Sequence, residues 1–234
     1  MPANARVAES HRAIAPVWHT VIVLFALIGL ALTVARSETL PFVGAYGKGA
    51  GYVWIIMFEW AIVGFVYSWA SRRGMSLRDL IGGNWARPVA ILRDAAVSLA
   101  FLVIIFVVSQ GLGNLLQAQP NQAVRNLIPR SSTQVFLFLT LAFTAGFCEE
   151  VIYRGYLQRQ FAALTQSAAG GIMLQALTFG AGHTYQGWRF VLITSVVGTM
   201  FGLLALRCRS LRPGMVAHFL QDGIGGLLAR KFLI

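Results

Sequence analysis

Acidic residues are scarce in this 234-residue sequence, which has eight Asp and Glu against nineteen Lys and Arg. Charged residues make up only 12% of the chain, whereas 57% of the residues are hydrophobic and the mean hydropathy is +0.67. So little charge excludes an ordinary soluble domain, in which about 25% of residues are charged. The basic excess is a known sign of nucleic-acid binding. However, cytoplasmic loops of membrane proteins collect Lys and Arg whatever their function, so we predict no nucleic-acid partner.

Cysteine is also rare, with only Cys148 and Cys208 in the chain. Both lie in or beside apolar runs, which makes a disulfide framework a poor explanation of the fold. The sequence also lacks His-Glu-x-x-His, the usual zinc signature on a helix. We therefore predict no metal and no cofactor.

Long apolar runs recur along the chain. A helix needs about 20 apolar residues to cross a hydrocarbon core of about 30 Å. The pattern predicts an all-α, polytopic membrane helix bundle with about seven transmembrane helices, within a range of six to eight. We expect a multi-pass protein of the cell membrane whose first partner is the lipid bilayer. The predicted spans lie at about 17–35, 50–70, 94–112, 133–153, 168–183, 189–206 and 213–230.

The connections between the predicted spans are short, which favours a single integrated membrane domain. Residues 1–132 hold the N-terminal spans and a basic loop at 71–93, and residues 133–234 hold the expected catalytic core. The basic loop suits either a short helix on anionic headgroups or a solvated connector. The polar segment 113–132 is predicted to be the longest linker. Twelve basic residues, among them Arg6 and Arg12, fall on one side and seven on the other, which predicts an inside N-terminus.

Half of the acids lie within predicted spans, namely Glu59, Glu149, Glu150 and Asp222. Ionisable groups inside a membrane are costly, usually face the bundle interior or a wet cavity, and often mark a functional site. Glu59 belongs to no recognisable motif, so for this residue functional and structural explanations stay equally open.

Glu149 and Glu150 are followed by Arg154, which shares a helix face with Glu150 because it lies four residues later. An ion pair between Glu150 and Arg154 would neutralise one carboxylate and leave Glu149 free to titrate. A purely structural ion pair is the alternative explanation of this spacing.

Two further pairs have the same four-residue spacing, Phe179 with His183 and His218 with Asp222. A turn at about 165–168 would place Glu149 and His183 level with each other across a helical hairpin. A carboxylate and a histidine that meet on one water can deprotonate it for attack on a carbonyl, and a second histidine can stabilise the oxyanion. Two histidines and a glutamate are also a zinc ligand set.

Three motifs give the chain a resemblance to a known family. Glu149-Glu150-Val-Ile-Tyr-Arg154 is similar to E-E-x-x-x-R, Phe179-Gly-Ala-Gly-His183 to F-x-x-x-H, and His218-Phe-Leu-Gln-Asp222 to H-x-x-x-N or D. These are the motifs of the CAAX prenyl protease and bacteriocin-processing family of intramembrane proteases, often called CPBP or ABI, and they occur in the family's order. The resemblance covers roughly residues 133–226.

The resemblance implies a glutamate-dependent endopeptidase whose site lies inside the membrane. It implies that Glu149 is the general base and that His183 positions or polarises the water. His218 and Asp222 would stabilise the oxyanion, although the prenyl-protease members carry Asn at the last position and Asp donates a hydrogen bond only when protonated. The implied supporting residues are Glu150, Arg154 and Phe179. The implied substrates are prenylated CAAX-type tails or leader peptides at the membrane.

Other functions fit the same polar residues. The cluster could assemble helices in a non-catalytic immunity or scaffold protein, or hold zinc in a membrane metalloprotease. It could also line the pathway of a transporter or proton relay, although no inverted repeat is visible. The sequence makes no prediction of the oligomeric state.

Overall fold

The computed structural model describes residues 13–41, 43–83 and 85–233, and within these ranges the chain is helical with no β-strand. The predicted fold class, an all-α membrane helix bundle, is confirmed. The helices are α1 Val17–Ser37, α2 Val43–Arg72, α3 Leu77–Ile81, α4 Pro88–Leu115, α5 Gln122–Leu127, α6 Ser132–Glu149, α7 Gln158–Thr165, α8 Ala168–Gly182, α9 Trp188–Cys208 and α10 Arg212–Leu233. A π-helix, Glu150–Leu157, joins α6 to α7, and a 3₁₀ turn, Thr184–Gln186, precedes α9.

Every predicted span falls on a helix, but the helices differ in length and polarity. Among the described residues, five helical segments are long and apolar enough to cross a membrane: Val17–Ser37, Tyr46–Arg72, Pro88–Leu115, Ser132–Thr165 and Trp188–Cys208. Helix α8 is apolar but has only 15 residues. Helix α10 carries a basic last turn with Arg230 and Lys231. Arg6 and Arg12, which enter the orientation count, lie outside the described residues.

The outer surfaces of these helices carry large apolar side chains, as expected for contact with lipid. Phe25 is 81% exposed, Leu92 70% and Phe136 69%. In water such surfaces would drive aggregation, whereas hydrocarbon solvates them without cost. The chain is therefore a multi-pass membrane protein.

The continuous helix from Ser132 to Thr165 forms the centre of the bundle, where α2, α8 and α10 pack against it. All eight residues of its π-helical segment are buried. The helix ends at Gln166, which adopts a left-handed conformation with φ 53°, and the Ser167 hydroxyl then caps α8 by accepting from the Gly170 amide. The turn predicted at 165–168 is therefore present, and α7 and α8 form a hairpin.

Part of the basic loop at 71–93 forms the short helix α3. Ser76 and Asp79 form a capping box at the start of α3, and the hydrogen bonds from Ser76 lower the pKa of Asp79. The Arg159 guanidinium donates to the carbonyls of Asp79 and Leu80 at 3.0 and 3.1 Å. The loop thus contains a short helix, as one of the two alternatives expects, and the Leu80 side chain of α3 is fully buried. Contact of this helix with lipid headgroups stays a prediction.

The segment 113–132, which is predicted to be a linker, connects α4 to α6 and contains the short helix α5. Asn121 caps α5, and its side-chain amide donates to the Tyr185 carbonyl at 2.7 Å. Tyr52 donates to the Leu127 carbonyl at 2.6 Å and Lys48 to the Ile128 carbonyl at 3.1 Å. These bonds fix α5 across one end of the bundle.

Close packing of the α7–α8 hairpin predicts a specific sensitivity at Gly171. A Cβ atom at this position would lie 2.5 Å from the Gln158 carbonyl oxygen and 2.8 Å from the Ala162 Cβ. Overpacking of this kind typically costs about 1–3 kcal/mol, so Gly171→Ala should lower the Tm of the purified protein in detergent. Gly64→Ala is the matched control because nothing lies within 4 Å of its Cβ position. Equal Tm values for the two variants would contradict this packing.

Candidate active site

A cavity of about 780 Å³ opens between α1, α2, α4, α6 and α10, with the 3₁₀ turn at its edge. Its volume is typical of a ligand site. Most of its lining is apolar, including Leu30, Leu102, Phe106 and Leu141. Polar side chains line the same cavity, among them Glu59, Glu149, His183, Tyr185, Gln221 and Asp222.

Behind this cavity, Glu150 and Arg154 form the ion pair that their spacing predicts. The Arg154 Nη1 atom lies 2.8 Å from Glu150 Oε1, and both side chains are fully buried. Arg154 Nη2 donates to the Gly198 carbonyl on α9 at 3.3 Å. Its guanidinium also lies over the rings of Phe179 and Phe201, 4.4 and 4.9 Å from their centroids, which is the geometry of a cation–π contact. Arg154 therefore anchors the π-helical segment to α8 and α9.

His218 on α10 lies between three carboxylates. Its Nδ1 atom is 3.2 Å from Glu150 Oε1, and its Nε2 atom is 3.8 Å from Glu149 Oε2 and 3.6 Å from Asp222 Oδ2. Carboxylates next to both ring nitrogens favour the doubly protonated ring, which can donate from both sides. Gly214, one turn before His218, lets the Glu150 carboxylate come close to α10. A Cβ atom at this position would lie 3.0 Å from Glu150 Oε2.

His183 is the C-cap residue of α8, and a hydrogen bond to its ring defines the tautomer. Its Nδ1 atom lies 2.8 Å from the Phe179 carbonyl oxygen. A carbonyl can only accept, so Nδ1 carries the proton and Nε2 of the neutral ring keeps a lone pair. The Phe179 ring supports this histidine at a centroid distance of 4.7 Å and packs edge-on against Tyr153.

Glu149 differs from Glu150 in its surroundings, although the two are adjacent in sequence. Its side chain is 21% exposed, compared with 1% for Glu150, and it lines the cavity. Glu149 Oε2 is buried without a hydrogen-bond partner in the described part of the chain. Its nearest charged neighbour is His218 Nε2 at 3.8 Å, so the carboxylate lines the cavity without an arginine partner among the described residues.

The structure brings the predicted site residues to one region. Glu149, His183 and Asp222 line the cavity, while Glu150, Arg154, Phe179 and His218 support it from behind. The direct histidine neighbour of Glu149 is His218, and His183 shares only the cavity with it.

The sequence prediction assigned no site role to three further residues that line the cavity: Glu59, Tyr153 and Tyr185. Tyr153 occupies a variable position inside the first motif, four residues after Glu149. Tyr185 follows His183 by two residues, and burial raises its pKa, so its hydroxyl stays protonated. The sequence could have pointed to both tyrosines only because they lie within or next to the motifs.

In the ranges 13–41, 43–83 and 85–233, no three His, Cys, Asp or Glu side chains are arranged to hold a metal ion. His218 faces carboxylates with both ring nitrogens, and a protonated nitrogen has no lone pair for a metal.

The fold and site together define an all-α membrane protein with a carboxylate–histidine cluster beside an internal cavity. Residues 131–224 match the family model of the type II CAAX prenyl endopeptidase, Rce1-like. The matched residues make up less than half of the chain. The match confirms the family resemblance that the three motifs predict, and it supports a CAAX-type intramembrane protease in general. No curated protein and no solved structure matches the chain.

Because the two glutamates have different surroundings, we expect their substitution by glutamine to differ in its effect on stability. Glu150→Gln removes the partner of a buried cation, a change that typically costs about 3–5 kcal/mol. It should therefore lower the Tm of the purified protein markedly. Glu149→Gln has the same shape change but removes no arginine partner, so its Tm should stay near that of the wild type. If the Glu149 variant were the less stable of the two, this assignment of the ion pair would be wrong.

Proposed function

We propose that this chain is an intramembrane endopeptidase of the cell membrane that hydrolyses a peptide bond through a water activated by Glu149 and His183. The observation that carries the proposal is the division between the two glutamates. Glu150 is committed to Arg154, whereas the Glu149 side chain has no arginine partner in the described ranges, is 21% exposed and lines the cavity. A general base must lie within reach of the proton that it accepts from the water.

The attack requires a water between Glu149 and His183. Glu149 accepts one proton of the water, and the His183 Nε2 lone pair accepts a hydrogen bond from the other. The hydroxide that forms attacks the carbonyl carbon and generates a tetrahedral oxyanion. No covalent bond to the protein forms in this scheme.

His218 is the proposed oxyanion donor. Its Nδ1–H donates to Glu150 Oε1, which leaves Nε2–H directed between Glu149 and Asp222. A charged donor in a water-poor site stabilises an oxyanion more strongly than a neutral one. In this proposal Asp222 orients His218 as an acceptor, in place of the donor role that Asn would have in prenyl-protease members.

The cavity suits a substrate that is itself apolar near the cleaved bond. Its walls are formed largely by aliphatic and aromatic side chains, and the carboxyl groups of Glu59, Glu149 and Asp222 line the same cavity. A prenylated CAAX-type tail or a leader peptide associated with the membrane has this combination of properties. We propose these two classes as substrates.

Hydrolysis of such a peptide should depend on Glu149. Removal of a general base typically lowers a rate by about 10²–10⁴-fold, so Glu149→Gln should lower kcat on a prenylated fluorogenic peptide by that factor. His183→Asn should also lower kcat. The control is Glu38→Gln, because the Glu38 side chain is exposed at the end of α1. A fully active Glu149→Gln variant would favour a non-catalytic scaffold or immunity protein.

The proposed reaction uses no metal, and this is testable independently. Dialysis of the active protein against EDTA and then 1,10-phenanthroline should leave kcat unchanged, and elemental analysis should find zinc well below one equivalent. Stoichiometric zinc, lost together with activity and restored with it, would replace this mechanism with that of a membrane metalloprotease.

A further inference from the structure

Peptide hydrolysis needs an acid as well as a base, because the amine leaves readily only when its nitrogen is protonated. Glu149 is proposed to take the proton of the water at the start of the reaction. The cavity is also lined by Glu59, whose carboxyl group has no role in the mechanism proposed above.

Glu59 is held in the cavity by the packing of α2 against α6. Trp60, the next residue, stacks on Phe147 at a centroid distance of 5.3 Å. The Glu59 residue is only 6% exposed, yet it lines the cavity together with Glu149 and His183. Glu59 Oε2 is buried and has no hydrogen-bond partner in the described ranges.

The charges around Glu59 are negative. Its electrostatic neighbours are Glu149 on α6 and Asp222 on α10, and no Lys or Arg of the described residues forms an ion pair with it. The buried Arg154 is already paired with Glu150. Glu59, Glu149 and Asp222 all line this largely apolar cavity. Carboxyl groups so placed are not readily ionised together, and neighbouring carboxyl groups share a proton in other hydrolases.

We propose that Glu59 is a further catalytic residue, the acid that protonates the leaving nitrogen. This inference rests on the proposed function. Glu149 removes a proton from water as the new C–O bond forms. Glu59 then donates its proton to the nitrogen as the C–N bond breaks. The proton on Glu149 passes to Glu59 through the cavity, so both groups return to their initial states and one water is consumed per bond.

The test compares two substrates that share one acyl segment, an amide and a 4-nitrophenyl ester. The amide needs protonation of its leaving group, whereas 4-nitrophenolate leaves without it. Glu59→Gln should therefore lower kcat for the amide by about 10²–10⁴-fold and leave kcat for the ester within a few-fold of the wild type. Glu149→Gln should lower both rates, because both reactions need the activated water.

Gln110→Leu is the matched control, since Gln110 lines the same cavity from α4 and carries no acid. Its ratio of amide to ester rates should equal that of the wild type. If Glu59→Gln does not accumulate, Glu59→Asp serves in its place, because a shortened acid should still lower this ratio.

The outcomes separate this inference from the proposed function. An unchanged ratio in the Glu59 variants, with Glu149→Gln inactive, overturns the role of Glu59 alone. An equal loss of both substrates in Glu59→Gln also overturns it, since a structural defect would act in that way. Activity of Glu149→Gln on both substrates overturns the proposed function itself.

Discussion

Arg154 brings a permanent positive charge into the middle of an apolar bundle, and the site is built around its neutralisation. An isolated charge there would be strongly unfavourable. Glu150 supplies the counter-charge, the Gly198 carbonyl accepts a hydrogen bond, and the Phe179 and Phe201 rings cover the guanidinium faces. Because these groups come from the π-helical segment, α8 and α9, satisfying one charge fixes the relative positions of three elements.

The same ion pair gives the two adjacent glutamates different roles, a structural one for Glu150 and a proposed catalytic one for Glu149. Glu150 holds Arg154 and His218 from behind the cavity. Glu149 has no arginine partner within the described part of the chain, and its side chain lines the cavity. The proposed chemistry extends this division, with Glu149 as base, Glu59 as acid and His218 as oxyanion donor. Apolar walls around these groups strengthen every electrostatic interaction among them.

The sequence predicts those features that depend on local periodicity. Apolar runs of about 20 residues predict the membrane helices, and four-residue spacing predicts the contacts of Glu150 with Arg154 and of His218 with Asp222. The role of Glu59 could not be predicted, because its place in the cavity depends on how α2 packs against a distant helix. The short helix α5 inside the predicted linker could not be predicted, because its position depends on hydrogen bonds from Lys48 and Tyr52 on a distant helix. The position of His218 between Glu149 and Glu150 likewise depends on the packing of α10.

In the proposed mechanism Glu149 and His183 activate a water while His218 receives the oxyanion. A structure of the protein bound to a phosphonate analogue of the tetrahedral intermediate would show whether these residues meet at one point. We predict that one phosphonyl oxygen lies within hydrogen-bonding distance of both Glu149 and His183 Nε2, and the other within that distance of His218 Nε2. A phosphonate bound away from Glu149, or held by a metal ion, would show that the proposed mechanism is wrong.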